Sequence, residues 1–332
     1  MPLLPDSQPV SDAPAPGAVR TAGVLGLGTA LPDEVVESEE IALRLGVDPE
    51  WIVKRTGIHS RRRAAAGASL NVLAAEAGSA ALADSGIAPE DLDHVLVATM
   101  SADQVTPNAA PVVAHLLGAT GAGAMDIGAA CTGAVSGIAT ACALIESGRA
   151  KHVLVIGAEL MSRHIDESDK RTAALFGDGA GALVLSVEAD GHVGPVVLGS
   201  DGSCADLITA DRLNGHLRMN GHDTFVQAVR RMSEATLGVC ADAGEQLDEI
   251  DLFVYHQANG RIISALVEQL EVPVERVLDC ISATGNTSAA SLPLALGEAR
   301  SRGLLDPGTK VLLGAVGAGF TWGATVIEWG SA

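Results

Sequence analysis

The sequence predicts an α/β protein in which one folding unit occurs twice. Buried strands alternate with helices, and the order of elements in the first half returns in the second. Residues 90–99 (EDLDHVLVAT) correspond to 248–257 (DEIDLFVYHQ), and the strand of 151–159 corresponds to that of 309–317. Hydrophobic residues make up 48% of the chain and aromatics only 2%, which suits buried strands and closely packed small-residue helices.

The elements follow from the hydrophobic pattern and its glycine stops. In the first half the pattern predicts strands within 22–32, 91–100, 123–128, 151–159 and 176–187, and helices within 70–87, 106–119 and 126–148. The second half predicts helices within 220–244, 261–272 and 285–303 and strands within 248–257, 276–282 and 309–329. We interpret the glycines of 177–182 (GDGAGA) as a tight turn, since their spacing fails GxGxxG and a strand follows.

The chain divides into a tail and two halves. Residues 1–19 are rich in proline and lack both a basic region and an apolar run, so we expect a disordered tail and no signal peptide. Residues 20–187 then form the first half and residues 188–332 the second.

Residues 127–145 carry no charge and raise the question of a membrane span. Glycine, alanine, serine and threonine dominate them, and such residues contribute little transfer free energy. We therefore expect a helix buried at the centre of the fold, packed against its counterpart in 285–303.

Charge and cysteine content narrow the class of protein. A net charge of −20 argues against nucleic-acid binding, which needs a basic surface. The five cysteines form no CxxC pair and no zinc-like cluster, which favours the reducing cytoplasm over a disulfide framework.

Two cysteines lie in the central helix of the first half. Cys131 follows a strand at the start of the helix, where free N–H groups and the helix dipole lower a thiol's pKa. Cys142 lies farther along the helix, and we interpret it as a core residue. From position alone, Cys131 is equally compatible with a nucleophile and with a small core residue.

The second half offers partners for such a thiol. His256 ends a strand, a common position for reactive groups in α/β proteins, although an ordinary core histidine fits as well. Asn286 occupies the repeat position of Cys131, where a helix cap is the alternative. The glycine-rich turn of 314–320 could present a backbone N–H to an oxyanion. Residues 51–63 are rich in Lys and Arg, and predict either a solvated loop or an anion site around Arg55 and Trp51.

Six motifs in this order resemble the β-ketoacyl-ACP synthase III family of the thiolase superfamily, over about residues 20–332. They are EWIVKRTGIHSRR, AACTGAVSG, FGDGAGALVL, HQANGRIISAL, GNTSAAS and GFTWGA. The resemblance implies a thiolase-like, duplicated αβαβα five-layer fold and a homodimer. It implies a catalytic triad of Cys131, His256 and Asn286, with the N–H groups of Cys131 and Ala318 as oxyanion hole.

In such an enzyme an acyl-CoA acylates Cys131, and decarboxylation of a malonyl thioester, on acyl carrier protein (ACP) or similar, gives a 3-ketoacyl product. The resemblance assigns CoA contacts to four residues and implies no metal or redox cofactor. Those residues are Trp51, Arg55, His222 and Asn259.

Several positions depart from the family pattern. Thr106 replaces a bulky residue near the acyl pocket, and His222 replaces an asparagine that contacts CoA. Ala318 replaces the glycine whose N–H belongs to the oxyanion hole. Arg261 matches a carrier-docking arginine, whereas other basic docking positions carry Val226, Glu268 and Gln269. These departures keep a second interpretation open, in which a relative transfers the acyl group to a hydroxyl or amine without forming a carbon–carbon bond. A non-catalytic subunit is disfavoured by the intact triad, and a degradative thiolase by the absence of a cysteine in 314–323.

Overall fold

Two β-sheets form the frame of the protein in a computed structural model, which describes residues 20–210 and 215–331. The predicted tail, 1–19, lies outside the described residues. The first sheet has the strand order β1–β7–β6–β4–β5. Its strands are β1 (Gly23–Ala30), β4 (His94–Ala98), β5 (Gly123–Ile127), β6 (His152–Leu160) and β7 (Asp178–Ser186). The second sheet has the order β11–β12–β13–β8. Its strands are β8 (His192–Ser200), β11 (Leu252–Tyr255), β12 (Lys310–Gly317) and β13 (Thr321–Glu328).

Helices cover both outer faces of the sheets and fill the space between them. On the first sheet lie α3 (Leu70–Ser85) and α4 (Ala109–Leu117); on the second lie α6 (Gly221–Ala243) and α7 (Gly260–Leu270). Between the sheets lie α5 (Gly133–Glu146) and α9 (Ser291–Ser301), which contact strands of both. The predicted five-layer αβαβα fold is thereby confirmed.

The two sheets match strand for strand. Asp93 precedes β4 and accepts from the backbone N–H of Lys151 at 2.6 Å; Asp251 precedes β11 and accepts from that of Lys310 at 2.9 Å. In both sheets the adjacent pair is parallel, β4 with β6 and β11 with β12. Aligning these pairs places Ala98 opposite His256 and Glu159 opposite Gly317.

Two predicted elements differ from the structure. The strand expected within 276–282 is reduced to one bridge between Phe253 and Val277, followed by the short helix α8 (Ile281–Thr284). Of the glycines expected to form a turn, Gly179 and Gly181 lie inside β7, and Gly177 directly precedes it. A Cβ on Gly181 would lie 2.6 Å from Cβ of Pro293, so glycine there lets the central helix approach the sheet.

A small subdomain follows β1 and carries the basic stretch. It consists of β2 (Glu34–Glu37), α1 (Ser38–Leu45), α2 (Pro49–Thr56) and β3 (Ser60–Arg63). Arg61 is buried there and donates to the carbonyl oxygen of Ala174 at 2.7 Å, so it ties this subdomain to the core. A further hairpin, β9 (Ile208–Ala210) with β10 (Leu217–Met219), lies before α6.

No helix within the described residues is both long enough and apolar enough to span a membrane. The uncharged stretch forms α5, in which Val135, Ile138 and Ile145 are buried in the core between the sheets. The expectation of a buried central helix is confirmed.

Candidate active site

One cavity of about 660 Å³ opens beside the N-terminal ends of the central helices. It is lined by every predicted site residue except Thr106. These lining residues are Cys131, His256, Asn286, Ala318, Trp51, Arg55, His222, Asn259 and Arg261. Residues from both halves of the chain thus meet at one site.

Cys131 is presented by a 3-10 turn, Ala130–Thr132, which leads into α5. Ala130 has a φ of 44°, a left-handed conformation that is costly for a residue with a Cβ. The backbone of Gly317 packs against this turn: a Cβ added there would lie 2.9 Å from the nitrogen of Cys131. Glycine at the end of β12 therefore allows the two halves to meet at the thiol.

The expected lowering of the thiol's pKa is wrong in net direction. Although Cys131 opens onto the cavity, protein atoms surround its sulfur, and burial raises the pKa of the thiol to about 11. Contact with the Ser288 side chain lowers the pKa, and the nearby Glu159 carboxylate raises it further. The thiol is protonated at neutral pH and needs a proton acceptor to react.

His256 follows β11 and is almost fully buried, with 1% of its surface exposed. Its backbone N–H donates to the carbonyl oxygen of Gly314 at 2.7 Å, which fixes the residue against β12. Burial lowers the pKa of the ring to about 4, so the imidazole is neutral at pH 7 and can donate one N–H bond.

The turn after His256 is held by a residue that sequence reasoning missed. Gln257 is buried; its side-chain amide donates to the carbonyl oxygen of Tyr255 at 2.8 Å and accepts from the N–H of Cys280 at 2.9 Å. The sequence did offer one indication of this role, since a polar residue directly follows the histidine that ends the strand.

Asn286 lies in the turn before α9. Its backbone bonds to Leu175 and Gly177, and its side-chain oxygen accepts from the N–H of Ser288 at 2.9 Å. The side-chain NH2 lies 3.5 Å from the carbonyl oxygen of Ala258, beside His256 in sequence. With its oxygen engaged, Asn286 offers N–H donors to the cavity.

Ala318 begins the tight connection from β12 to β13 and lines the cavity with Cys131. Its carbonyl oxygen accepts from the hydroxyl of Thr321 at 3.2 Å. Gly317, the residue before Ala318, packs against the backbone nitrogen of Cys131. This arrangement suits the predicted oxyanion hole, which stays a prediction.

The predicted CoA contacts occupy the mouth of the cavity. The guanidinium of Arg55 lies 4.8 Å from the ring centroid of Trp51. Asn259 caps α7 by accepting from the N–H of Arg261 at 2.9 Å, and His222 lies exposed in the first turn of α6.

Two further cations at the mouth, Lys170 and Arg171, were missed in the sequence. No ion pair within residues 20–210 and 215–331 involves these two cations, and none involves Arg55 or Arg261. The mouth is therefore a cationic region in a strongly acidic chain.

Thr106 does not line the cavity of its own chain, and its place near the acyl pocket stays a prediction. It lies in an exposed loop beside Val105, 85% of whose surface is accessible. The apolar wall is formed instead by residues from loops and strand ends, whose contribution depends on tertiary packing. They include Met100, Met161, Phe176, Leu217, Met219 and Phe320.

Among the described residues, no group of three His, Cys, Asp or Glu side chains is arranged to hold a metal ion. The expectation that the protein uses no cofactor stays a prediction.

A thiol, an imidazole and a carboxamide converge at the centre of this duplicated five-layer fold, which defines the thiolase-like class of acyl-transferring enzymes. Family models agree: residues 125–202 match 3-oxoacyl-[acyl-carrier-protein] synthase III, and residues 240–329 match its C-terminal region.

Individual relatives cover nearly the whole chain. The chain is 42% identical over 321 residues to the β-ketoacyl-[acyl-carrier-protein] synthase III 2 of Streptomyces coelicolor, covering 96% of this chain and 97% of that one. The crystal structure of 3-oxoacyl-[acyl-carrier-protein] synthase III from Aquifex aeolicus aligns with a TM-score of 0.90 at 39% identity, over 93% of this chain and all of that one. The priming β-ketosynthase of the R1128 polyketide pathway aligns with a TM-score of 0.89 at 35% identity, over 96% and 100%. The chain belongs to the β-ketoacyl-ACP synthase III family.

Proposed function

We propose that this protein is a type III β-ketoacyl synthase that condenses a CoA-borne acyl group with a malonyl thioester. The observation that carries the proposal is the shared cavity, in which Cys131 from one half faces His256 and Asn286 from the other. A nucleophile with two separate N–H donors suits a reaction with two successive oxyanions.

In the first step the Cys131 sulfur attacks the acyl carbonyl carbon and CoA leaves as the thiol. The negative charge that develops on the carbonyl oxygen is accepted by the N–H groups of Cys131 and Ala318. Backbone donors fixed by the turn at Ala130 and by Gly317 do not need to reorganise during the reaction.

In the second step the malonyl thioester loses CO2, and the electron pair of the broken bond passes to the thioester as an enolate. Neutral His256 and the amide of Asn286 donate to the enolate oxygen. The enolate carbon attacks the acyl–Cys131 carbonyl, the new carbon–carbon bond forms, and the Cys131 thiolate is released.

The cationic mouth favours substrates with phosphate groups. Arg55, Lys170, Arg171 and Arg261 surround an entrance that leads to an apolar wall. Arginine and lysine bind phosphates through charge-assisted hydrogen bonds, and Trp51 offers a flat face for a base. Both CoA and the phosphopantetheine of a carrier protein fit this chemistry.

Transfer of the acyl group to a hydroxyl or amine is the second candidate. It is favoured by the exposed outer face of α7, where Glu268 and Gln269 offer no cation to an acidic carrier protein. It is disfavoured by Asn286, since simple transfer forms no enolate that needs a second donor.

Acylation by a panel of acyl-CoAs, followed by intact-protein mass spectrometry, tests the first step. We expect one acyl mass on the wild type and none on Cys131→Ala; a Cys131→Ala protein that gains the mass contradicts the nucleophile assignment. Release of labelled CO2 from malonyl-CoA and malonyl-ACP tests the second step. An enzyme that releases no CO2 but acylates small alcohols or amines is instead the acyltransferase.

We also propose a cytoplasmic homodimer. β5 is an edge strand of the first sheet, and Met125 on it and Leu116 on α4 expose 39% and 49% of their surfaces. A second copy that pairs with this edge would satisfy its backbone groups and cover both side chains. Sedimentation equilibrium should give twice the chain mass, and Met125→Asp should shift the protein toward the monomer; a monomeric wild type contradicts the proposal.

The cysteines support the cytoplasmic location that we propose. All five cysteines are free, as expected in a reducing compartment.

A further inference from the structure

A carboxylate that the proposed chemistry does not use lies behind the nucleophile. Glu159 near the end of β6 is completely buried. Its side chain accepts from the hydroxyls of Ser101 at 2.5 Å, Thr99 at 3.2 Å and Ser288 at 2.9 Å, and from the N–H of Met100 at 3.2 Å. Buried carboxyls are rare and demand such partners.

Ser288 connects Glu159 to the thiol. Its hydroxyl donates to Glu159 at 2.9 Å, and the turn that it begins, Ser288–Ala290, packs against the turn Ala130–Thr132 that carries Cys131. Ser288 has a φ of 50°, a left-handed conformation that is costly for a residue with a Cβ, so the surrounding structure holds this turn in one geometry. A hydroxyl that donates to a carboxylate can accept from a thiol at the same time.

Two bases could take the thiol proton, and they differ in strength. Burial raises the pKa of Glu159 to about 7 and lowers that of His256 to about 4, so the carboxylate is the stronger base. The Glu159 charge opposes a thiolate at Cys131. Moving the thiol proton onto Glu159 leaves one negative charge in the site, whereas releasing it to solvent would leave two.

We propose that Glu159, acting through Ser288, accepts the proton of Cys131 during acylation; this inference rests on the proposed function. As the S–H bond breaks, its proton passes to Oγ of Ser288 while the Ser288 proton passes to Oε1 of Glu159. The sulfur bonds to the acyl carbon and the CoA–sulfur bond breaks. Glu159 then gives the proton back through Ser288, and the departing CoA thiolate takes it up, so CoA leaves as the thiol and Glu159 ends the step as a carboxylate.

Few other ionisable groups face Glu159 from the described elements around it. The turn before α5 contributes one ionisable group, the Cys131 thiol. Beyond Ser101, Arg163 donates to the Ser101 carbonyl oxygen and pairs with Asp103 at 2.7 Å. On β7, Asp178 accepts from the N–H of Ala64 and from Ser162, so its carboxylate is already engaged. The pKa of Glu159 is set chiefly by burial, which raises it, and by the hydrogen bonds from Ser101 and Ser288, which lower it.

The pH dependence of Cys131 acylation tests the relay. With an acyl-CoA under single-turnover conditions, the wild-type rate should rise with pH through about 7 and then level, because only ionised Glu159 accepts a proton. Glu159→Gln and Ser288→Ala should each slow acylation at pH 7 by about 10²-fold. Both should lose the inflection near 7, and their rates should instead keep rising toward the higher pKa of the thiol. Ser288→Ala keeps the backbone N–H that donates to the Asn286 side chain. If Glu159→Gln does not fold, Ser288→Ala still tests the relay.

Decarboxylation of the malonyl thioester separates the relay from a structural role. In a Cys131→Ala background it needs only His256 and Asn286, so Glu159→Gln should leave its rate within about threefold. Equal losses in both half-reactions would show that Glu159 merely supports the site. A Glu159→Gln enzyme that acylates with the wild-type rate and pH profile overturns the relay but leaves the proposed function intact. A wild type that is never acylated overturns the proposed function itself.

Ser101→Ala is the matched control, since it removes a donor to Oε2 of the same carboxylate, whereas Ser288 binds Oε1. The Ser101 bond lowers the pKa of Glu159, so its loss should move the inflection above 7 rather than abolish it. An unchanged inflection in Ser101→Ala would assign the wild-type inflection to another group and contradict the relay.

Discussion

The two halves of the molecule share a scaffold and differ in the groups that they bring to its centre. β6 and β12 occupy equivalent places in their sheets, yet the first carries Glu159 near its end and the second Gly317 at the matching place. Each packs against the turn of the opposite half: Glu159 bonds to Ser288, and Gly317 lies against Cys131. Equivalent contacts between the two halves thus place a carboxyl group beside Ser288 and a residue without a side chain beside Cys131.

The turns differ in the same way. Ala130 and Ser288 both adopt left-handed backbone conformations just before a central helix, at φ values of 44° and 50°. The first turn presents Cys131, whereas the second places a hydroxyl beside it. His256 corresponds to Ala98, which has no polar side chain. Duplication provided one rigid frame, and divergence gave the thiol to one half and the N–H donors to the other.

Removing the thiol from the first half is the most severe test of this comparison. Cys131→Ala should abolish acylation, a loss on the order of 10⁴-fold or more, because no other thiol lines the cavity within the described residues. The same variant should still release CO2 from malonyl thioester, because His256 and Asn286 remain. Parallel mass spectrometry and labelled-CO2 assays measure the two activities.

Asn286→Ala should show the reverse pattern. Loss of one oxyanion donor should slow decarboxylation and condensation by about 10²–10³-fold, while acylation of Cys131 continues. Asn286→Gln serves as control, since it keeps the amide but displaces it. If Asn286→Ala blocks acylation as strongly as condensation, the halves do not divide the reaction as proposed.

The repeated elements made the fold predictable from the sequence. Matching acidic turns before two apolar strands, at Asp93 and Asp251, and two small-residue helices that follow and are uncharged for most of their length, within 127–145 and 285–297, indicated the layer order. Cys131, His256 and Asn286 became candidates because each follows a strand or opens a central helix, and the family resemblance then indicated that they form a triad. The glycines of β7 misled, since turns and close helix–sheet contacts use the same residue, and only the position of Pro293 distinguishes them.

Other features depend on contacts that sequence order does not reveal. Glu159 interrupts an otherwise apolar strand, an available indication, but its link to Ser288 spans 129 residues. The direction of the Cys131 pKa shift was predicted from the helix end, whereas burial by both halves decides it. Thr106 lies next to Pro107 in an exposed loop, and linear order gave no sign that it would not line the cavity of its own chain.

The smallest expected effect tests the contact between the halves at Gly317. A Cβ there would lie 2.9 Å from the nitrogen of Cys131 and 3.2 Å from that of Thr132, so Gly317→Ala must displace the turn. We expect a loss of about 1–3 kcal/mol in the free energy of unfolding, measured by urea denaturation, and slower acylation. Gly238→Ala in α6 is the matched control: a Cβ there meets nothing within 4 Å, and removing a helical glycine should stabilise the protein by about 0.5–1 kcal/mol. A Gly317→Ala protein as stable and as readily acylated as the wild type would mean that the halves do not depend on this close approach.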